Sequence, residues 1–419
     1  MTTTGQRHPS VTQRLAVSGT LILGAIFGTA AGARAQTNYT LLHTFEYLAL
    51  TPPDGANPKG GLIADAQGSI YGTTYWGAAG AGEVFRWETN GQWTPLYTFT
   101  GFADGGMPTA GLVLDPAGNL YGTTYGGGSG HGVVFKLTPT TGGGAWIEKV
   151  IHTFTGGVDG GNPFAGLILD KIGNLYGTTT TGGVLTGGGA GYGVVFELTP
   201  MAGGAWTEAP LYTFAGKPDG ANPYGSLIFD ANGNLYGTTM NGGPGSGLGK
   251  GIAFELTPPS SPGNWGETVL HQFAGGANDG ENPQAGLTMD SSGNLYGTTP
   301  FGGRASGSGY GVVYTIPIGG TETWLYKFAG QPDGDCPYAG LIYSSTNNQL
   351  YGATYFGGLN GYGLVFSMTT AGVKTPLYSF TSSGAAEPFG GLVQTPGGIY
   401  GTTYSGYGTY YYGVLFNLN

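Results

Sequence analysis

A single cysteine, Cys336, stands in 419 residues, so no disulfide can form within one copy of the chain and the fold must hold by packing and closure alone. Charge is also scarce, at 9% of residues, and basic residues are the scarcer sign, with 13 Lys and Arg against 23 Asp and Glu. A chain so poor in cations cannot displace phosphate counterions, which excludes nucleic acid as a partner and disfavours anionic membrane surfaces. No helical period runs through the chain, and past the first 35 residues no apolar run is long enough to cross a bilayer. Neither HExxH nor Cys/His metal spacing occurs, and no histidine accompanies a Gly-x-Ser-x-Gly elbow. Zinc-hydrolase and serine-hydrolase templates are thereby set aside.

What the chain has in excess is glycine, 88 residues, together with 28 Tyr, 20 Phe and 7 Trp. There is no Gly-X-Y period, and the aromatic side chains supply apolar area to bury, so collagen and disorder are both excluded. The composition predicts a turn-rich, lightly charged β protein. Residues 1–35 read as a signal peptide: Arg7 and Arg14, an apolar run from Leu15 to Ala31, and Ala33-Arg34-Ala35 before Gln36. Its removal takes three arginines from the 13 basic residues, leaving ten against 23 acids, a formal charge of −13. The chain is expected to be secreted, to the exterior, the cell surface or the periplasm, and free of the membrane once the signal is cleaved.

Repetition organises the rest. Tyr-Gly followed by Thr or Ala and then Thr recurs at Tyr71, Tyr121, Tyr176, Tyr236, Tyr296, Tyr351 and Tyr400, at steps of 49 to 60 residues. Each copy carries four short strand signals separated by turn signals, such as Asp230-Ala231-Asn232-Gly233 between the first two strands of the fourth copy. One small sheet cannot cover both its faces, whereas sheets stacked around an axis cover each other. The reading is all-β: residues 36–419 form a single seven-bladed β-propeller of four-stranded blades. Thr40-Leu41-Leu42-His43-Thr44-Phe45 matches the fourth strand of a unit, and Val414 to Leu418 matches the third. The N-terminal strand is therefore expected to pair into the last blade and close the ring.

The pattern Gly-Leu-Ile-x-Asp-x-x-Gly-Asn-Leu-Tyr-Gly-Thr-Thr, then Gly-Gly, then Gly-Val-Val-Phe-x-Leu-Thr-Pro resembles the GloVer-type (Gloeo/Verruco) tandem repeat, over about residues 39 to 419. The resemblance implies an exported bacterial repeat protein at the cell surface. That family carries C-terminal anchors; here Asn419 follows directly on a strand signal, which predicts secretion without a tether.

Most repeated residues have a structural reason. The Asp-x-x-Gly-Asn turn lacks the alternating acids of a calcium loop. Glycine inside the Tyr-Gly-Thr-Thr strand predicts close approach of a ring or strand, with Phe135, Phe196 and Phe254 filling the space between blades. Cys336 occupies an Asn slot of the loop Asp-Gly-x-Asn-Pro. Along that loop Asp54, Asp104, Asp159, Asp219, Asp279 and Asp333 would form a broken ring on one face, either as Asx-type turns or as a cation or ligand site at the channel mouth. No cofactor is identified, and calcium is a candidate ligand there. Residues that break the symmetry, Trp76, Tyr125, Phe301, Tyr355, Tyr404 and Arg304, are candidates for the same face, where aromatic rings beside polar groups suit sugars or a protein surface.

Because symmetry multiplies identical groups and catalysis needs unlike ones, the leading expectation is a non-catalytic binding or scaffold protein for a glycan or a cell-surface protein. The alternative is a secreted carbohydrate-active enzyme, a glycosidase or lyase, using Asp335, Glu281 or Glu387 with Arg304.

Overall fold

A computed structural model describes residues 37–46, 54–77, 80–141, 145–185, 187–244, 247–260, 265–305, 307–382, 385–406 and 412–419. The proposed signal segment lies outside these residues. Residues 37–419 form one compact unit.

Seven four-stranded antiparallel sheets make up the unit, each ordered from an inner strand of two or three residues to an outer strand. In the second blade these are Val113–Leu114, Leu120–Thr124, Val133–Thr138 and Ile147–Thr153. The inner strands are short because the Asp turn begins at once. Asp115 Oδ1 accepts from the N–H groups of Ala117 and Asn119, and Oδ2 accepts from Asn119 Nδ2 and Tyr121 OH. Burial works against this carboxylate, but those hydrogen bonds outweigh it and hold it below the ordinary range. All its oxygens are engaged by the turn itself, so turn chemistry accounts for this repeat.

The seventh blade closes as expected. Its inner three strands are Val393–Thr395, Gly398–Thr403 and Val414–Leu418, and Tyr39–Thr44 pairs antiparallel with the last of them, Tyr39 opposite Leu418 and Thr44 opposite Val414. First and last blades are thus joined by a strand ladder in a chain that has no disulfide.

Packing between blades rests on one aromatic pair per seam. The outer-strand Phe of one blade meets the third-strand aromatic of the next, edge to face: Phe99 with Phe135 at 5.0 Å, Phe154 with Phe196 at 5.2 Å, Phe214 with Phe254 at 5.1 Å. In the fifth blade Tyr314 takes the Phe position, 5.1 Å from Phe273. All these rings are fully buried. Threonine hydroxyls add polar links between the same blades, as where Thr123 donates to Ala165 O and Thr298 to Ala339 O.

On one face the loop entering each inner strand pairs with the loop leaving the second strand. Short bridges run from Ala56 to Trp76, Gly106 to Gly126, Gly161 to Thr181, Ala221 to Asn241, Glu281 to Phe301, Asp335 to Phe356 and Ala386 to Ser405. This pairing sets the face on which the candidate residues stand. Among the described residues no helix is long and apolar enough to cross a membrane.

Candidate functional site

The six loop aspartates do not ring the channel mouth. Each turns back onto the outer strand that precedes it. Asp104 accepts from the Thr100 N–H at 2.8 Å and from Tyr97 OH at 3.0 Å. Asp219 accepts from the Ala215 N–H and Tyr212 OH, and Asp333 from the Ala329 N–H and Tyr326 OH. Asp159 accepts from the Thr155 N–H beside His152, Asp279 from the Ala274 N–H beside His271. Asp54 takes the Glu46 N–H and pairs with His43 at 2.7 Å, and its side chain is 2% exposed. Each of these carboxylates caps a backbone N–H of its own turn and meets a side chain of its own strand, which fixes where it points. The Asx-type reading accounts for all six.

The central channel, about 280 Å³, is lined by the segment that follows each Asn-Pro or its equivalent, and none of the six aspartates is among the lining residues. Around the axis these segments are small residues at close range: a Cβ on Gly111 would stand 2.7 Å from Gly61 O. At the mouth the repeat gives way to variety. The residue after the loop proline is Lys59, Thr109, Phe164, Tyr224, Gln284, Tyr338 and Phe389 in the seven blades. Tyr125 meets Phe164 edge to face at 6.4 Å, and Phe164 lies 4.6 Å from Tyr224. Tyr338 stacks on Phe389 at 5.4 Å, with Tyr355 set edge-on to both and Phe301 edge-on to Tyr338 at 6.2 Å. Tyr404 is 6.3 Å from Phe389. The predicted aromatics Tyr125, Phe301, Tyr355 and Tyr404 therefore do gather at the mouth, joined by four that sequence reasoning missed.

Two charged groups stand in this aromatic wall. Lys59 Nζ lies 3.7 Å from the centre of the Tyr75 ring and 5.5 Å from that of Tyr404. Burial lowers its basicity below that of an ordinary lysine, and no salt bridge to it is found among the described residues. Burial, then the neighbouring phenols Tyr125 and Tyr404, push the Tyr75 hydroxyl up. Glu387 occupies the seventh loop's Asn slot at φ 63°. Its Oε2 accepts from Tyr355 OH at 2.9 Å and Ser405 Oγ at 2.7 Å, and its backbone carbonyl accepts the Tyr404 N–H at 2.9 Å. Burial first, then Glu387, raises Tyr355 far above the normal phenol range, so it stays a donor. Lys59 and Glu387 are both tied to Tyr404, one through its ring and one through its backbone.

The remaining candidates lie apart from this pair. Trp76 is half-exposed at the rim, edge-on to Tyr75 at 4.7 Å. Arg304 is exposed and donates to Tyr310 OH at 3.0 Å. Glu281 is held by Lys250 at 2.8 Å. Asp335 is half-buried, and burial raises its carboxyl despite hydrogen bonds from Cys336. Of the proposed acids, Glu387 is the one whose side chain is hydrogen-bonded to a ring of the aromatic wall among the described residues.

The chain belongs to the Gloeobacter/Verrucomicrobia repeat family, whose sequence model matches residues 15–190 and 182–416. No curated protein matches the sequence. In fold it is similar to a candidate 6-phosphogluconolactonase from Bacteroides uniformis, at TM-score 0.50 and 14% identity, over 81% of this chain and 87% of that one. It is similar likewise to the periplasmic gluconolactonase of Pseudomonas aeruginosa, at TM-score 0.50 and 15% identity, over 82% and 96% of the two chains. At these identities the likeness establishes the propeller fold. The expectation of a non-catalytic binding or scaffold protein is corrected at this point: these two solved propellers are named as lactonases.

Proposed function

We propose that the chain is an exported enzyme that hydrolyses small sugar-derived substrates at the channel mouth, with lactone ring opening as its reaction. The observation that carries this reading is the presence of two unlike groups, the Lys59 ammonium and the Glu387 carboxylate, each on a residue that contacts Tyr404, in an aromatic wall of an otherwise repetitive ring. Aromatic faces offer apolar contact to the C–H faces of a sugar, while the polar pair fixes orientation.

Lactone opening needs a base for water and positive charge where the carbonyl oxygen becomes an anion. Glu387 has an oxygen beyond the one that Tyr355 and Ser405 hold, and it accepts the proton of the attacking water. Water adds to the carbonyl, Lys59 stabilises the oxyanion, and the ring C–O bond breaks with proton return to the leaving alkoxide. Glycosidic cleavage asks instead for two carboxylates across the bond. The mouth offers a carboxylate and an ammonium, which favours the lactone. Activity outside the cytoplasm fits the N-terminal signal pattern and the periplasmic site of one similar propeller.

The test is hydrolysis of glucono-1,5-lactone and related sugar lactones by the purified chain, followed by proton release. Lys59→Met and Glu387→Gln are each expected to lower kcat/KM by roughly 100-fold or more, while Arg304→Ala leaves it within twofold. No turnover above the spontaneous rate on any lactone, or turnover indifferent to both substitutions, rules the reading out.

A further inference from the structure

Away from the mouth, the outer edges of the blades meet in a repeated three-residue arrangement. A Tyr or His two residues before the outer-strand Phe contacts the Asp of the following loop. The residue six before the Phe, on the next blade, faces the same Asp. Three seams of this kind read Tyr97, Asp104, Glu148; His152, Asp159, Glu208; and Tyr212, Asp219, Glu267. The next reads His271, Asp279, Glu322, and the one after it Tyr326, Asp333, Lys374.

In the last of these Lys374 donates to Asp333 Oδ1, so the chain provides its own cation to a loop aspartate. Where Glu replaces that lysine, two carboxylates share a buried seam with no lysine between them. A histidine joins them at two seams, His152 beside Asp159 and Glu208 and His271 beside Asp279 and Glu322, and it is at the second, between blades 4 and 5, that the three close up. His271 Nε2 is 3.2 Å from both Asp279 oxygens and 3.9 Å from Glu322 Oε2. One ligand atom from each residue falls within 4.8 Å of the others. The Glu322 side chain is 6% exposed, and its Oε1 is buried with no hydrogen-bond partner. The same seam is where Tyr replaces Phe, and the fully buried Tyr314 hydroxyl also has no partner. Unmet buried oxygens at this price in desolvation call for a cation or a donor.

We propose that His271, Asp279 and Glu322 bind a divalent transition metal, zinc being the best match, that clamps blades 4 and 5. One imidazole and two carboxylates are zinc ligands at metal–ligand distances near 2.0–2.2 Å, which puts ligand atoms about 3.4 Å apart in a tetrahedron. The gaps of 3.2 and 3.9 Å bracket that spacing. Asp279 keeps its turn through the Ala274 and Gly280 N–H groups, which also fix its orientation, as metal-ligating carboxylates require. Water completes the fourth position, reached past His271, whose side chain is 21% exposed. The site does not depend on the proposed activity at the mouth.

The symmetry supplies the controls. The metal-stripped chain is dialysed against zinc, with cobalt(II) absorption as a second readout and thermal melts as a third. One equivalent of zinc is expected, with cobalt giving the visible bands of a four-coordinate site. His271→Tyr copies Tyr97, Tyr212 and Tyr326 at the equivalent position; it is expected to stay folded and lose affinity at least tenfold. Glu322→Lys copies Lys374 and is expected to abolish uptake while melting at or above the wild-type temperature. Glu148→Gln, at a seam without histidine, is expected to change nothing. Absence of stoichiometric uptake, uptake indifferent to both His271→Tyr and Glu322→Lys, or uptake lost in Glu148→Gln overturns the assignment.

Discussion

The ring of Phe135 lies across Gly122, its direct partner in the adjacent strand, so a Cβ on Gly122 would stand 2.6 Å from Phe135 Cζ and 2.9 Å from Leu112 Cδ2. The same contact recurs between Gly72 and Phe85, Gly177 and Phe196, and Gly237 and Phe254. This glycine is needed for space: its φ is not positive, and what it admits is the aromatic ring that seals the seam. Gly122→Ala is expected to destabilise by about 1–3 kcal/mol through overpacking. Phe135→Leu alone also destabilises, but the double variant should cost clearly less than the sum of the two, since each relieves the other. Urea melts of the three variants decide it; additive losses would mean that ring and glycine do not interact.

Closure rests on the strand Tyr39–Thr44 and the Phe that follows it. Phe45 is fully buried, 5.4 Å from Phe85 of the first blade, while Tyr39 stacks on Tyr378 at 4.3 Å. Phe45→Ala is expected to cost about 3–5 kcal/mol, the usual loss for a buried Phe. Leu41 in the same strand is 44% exposed, and Leu41→Ala should stay within about 0.5 kcal/mol. Chemical denaturation of both tests whether the clasp holds the ring. Equal, small losses would show that it does not.

The acid pairs at the seams make stability depend on pH in an unusual direction. Burial, then Asp219, raises the Glu267 carboxyl to about 7, with Tyr212 OH working the other way. Burial and Asp104 do the same for Glu148. A carboxyl whose folded pKa exceeds its unfolded value near 4.3 binds its proton more tightly when folded. Its contribution is complete below about pH 4 and is lost as pH climbs through 7. Thermal melts should therefore fall from pH 5 to pH 8. Glu267→Gln, which keeps the shape of the protonated acid, should match wild type at pH 5 and exceed it at pH 8. A difference that is the same at both pH values would refute the coupling.

Much of this fold could be read from the repeat because its turn chemistry is local. Asp115 to Asn119 is satisfied by its own neighbours, so the turn shows in five consecutive residues. Closure could be read as well, since strand identity at the two ends depends only on matching Thr40–Phe45 and Val414–Leu418 to the repeat. The aspartates of Asp-Gly-x-Asn-Pro showed their turn role but not their partners. Tyr97 or His152 stands seven residues upstream across a bulged strand, and Glu148 or Glu208 comes from the next blade. Those partnerships are long-range contacts. A column-wise reading of the position six before the outer Phe, which runs Tyr39, Trp93, Glu148, Glu208, Glu267, Glu322, Lys374, would have exposed the exchange of Glu for Lys. Lys59 was missed for a similar reason. It differs from its counterparts at the position after the loop proline, and its meaning lies in the rings of Tyr75 and Tyr404, which the fold alone brings to it.

Cys336 tests the slot assignment most directly. It sits at φ 53°, in the left-handed region, where Asn57, Asn162, Asn222 and Asn282 sit in other blades at φ 54–55°. Those asparagines also donate Nδ2 to the carbonyl of the residue after the second strand of the preceding blade: Tyr404, Tyr125, Thr180 and Met240. A thiol is a weaker donor than the amide it replaces, and here it is turned to Asp335; burial pushes the Cys336 thiol up to about 12, with Asp335 adding to the shift. It should therefore resist thiol reagents such as Ellman's reagent in the native state and react only on unfolding. Cys336→Asn should restore both the conformational preference and a hydrogen bond to Pro300 O, the equivalent acceptor, and stabilise by about 1 kcal/mol. Cys336→Val, β-branched at positive φ, should destabilise instead. Melting curves of the two variants separate the explanations: if Asn and Val behave alike, side-chain volume rather than backbone conformation governs the slot.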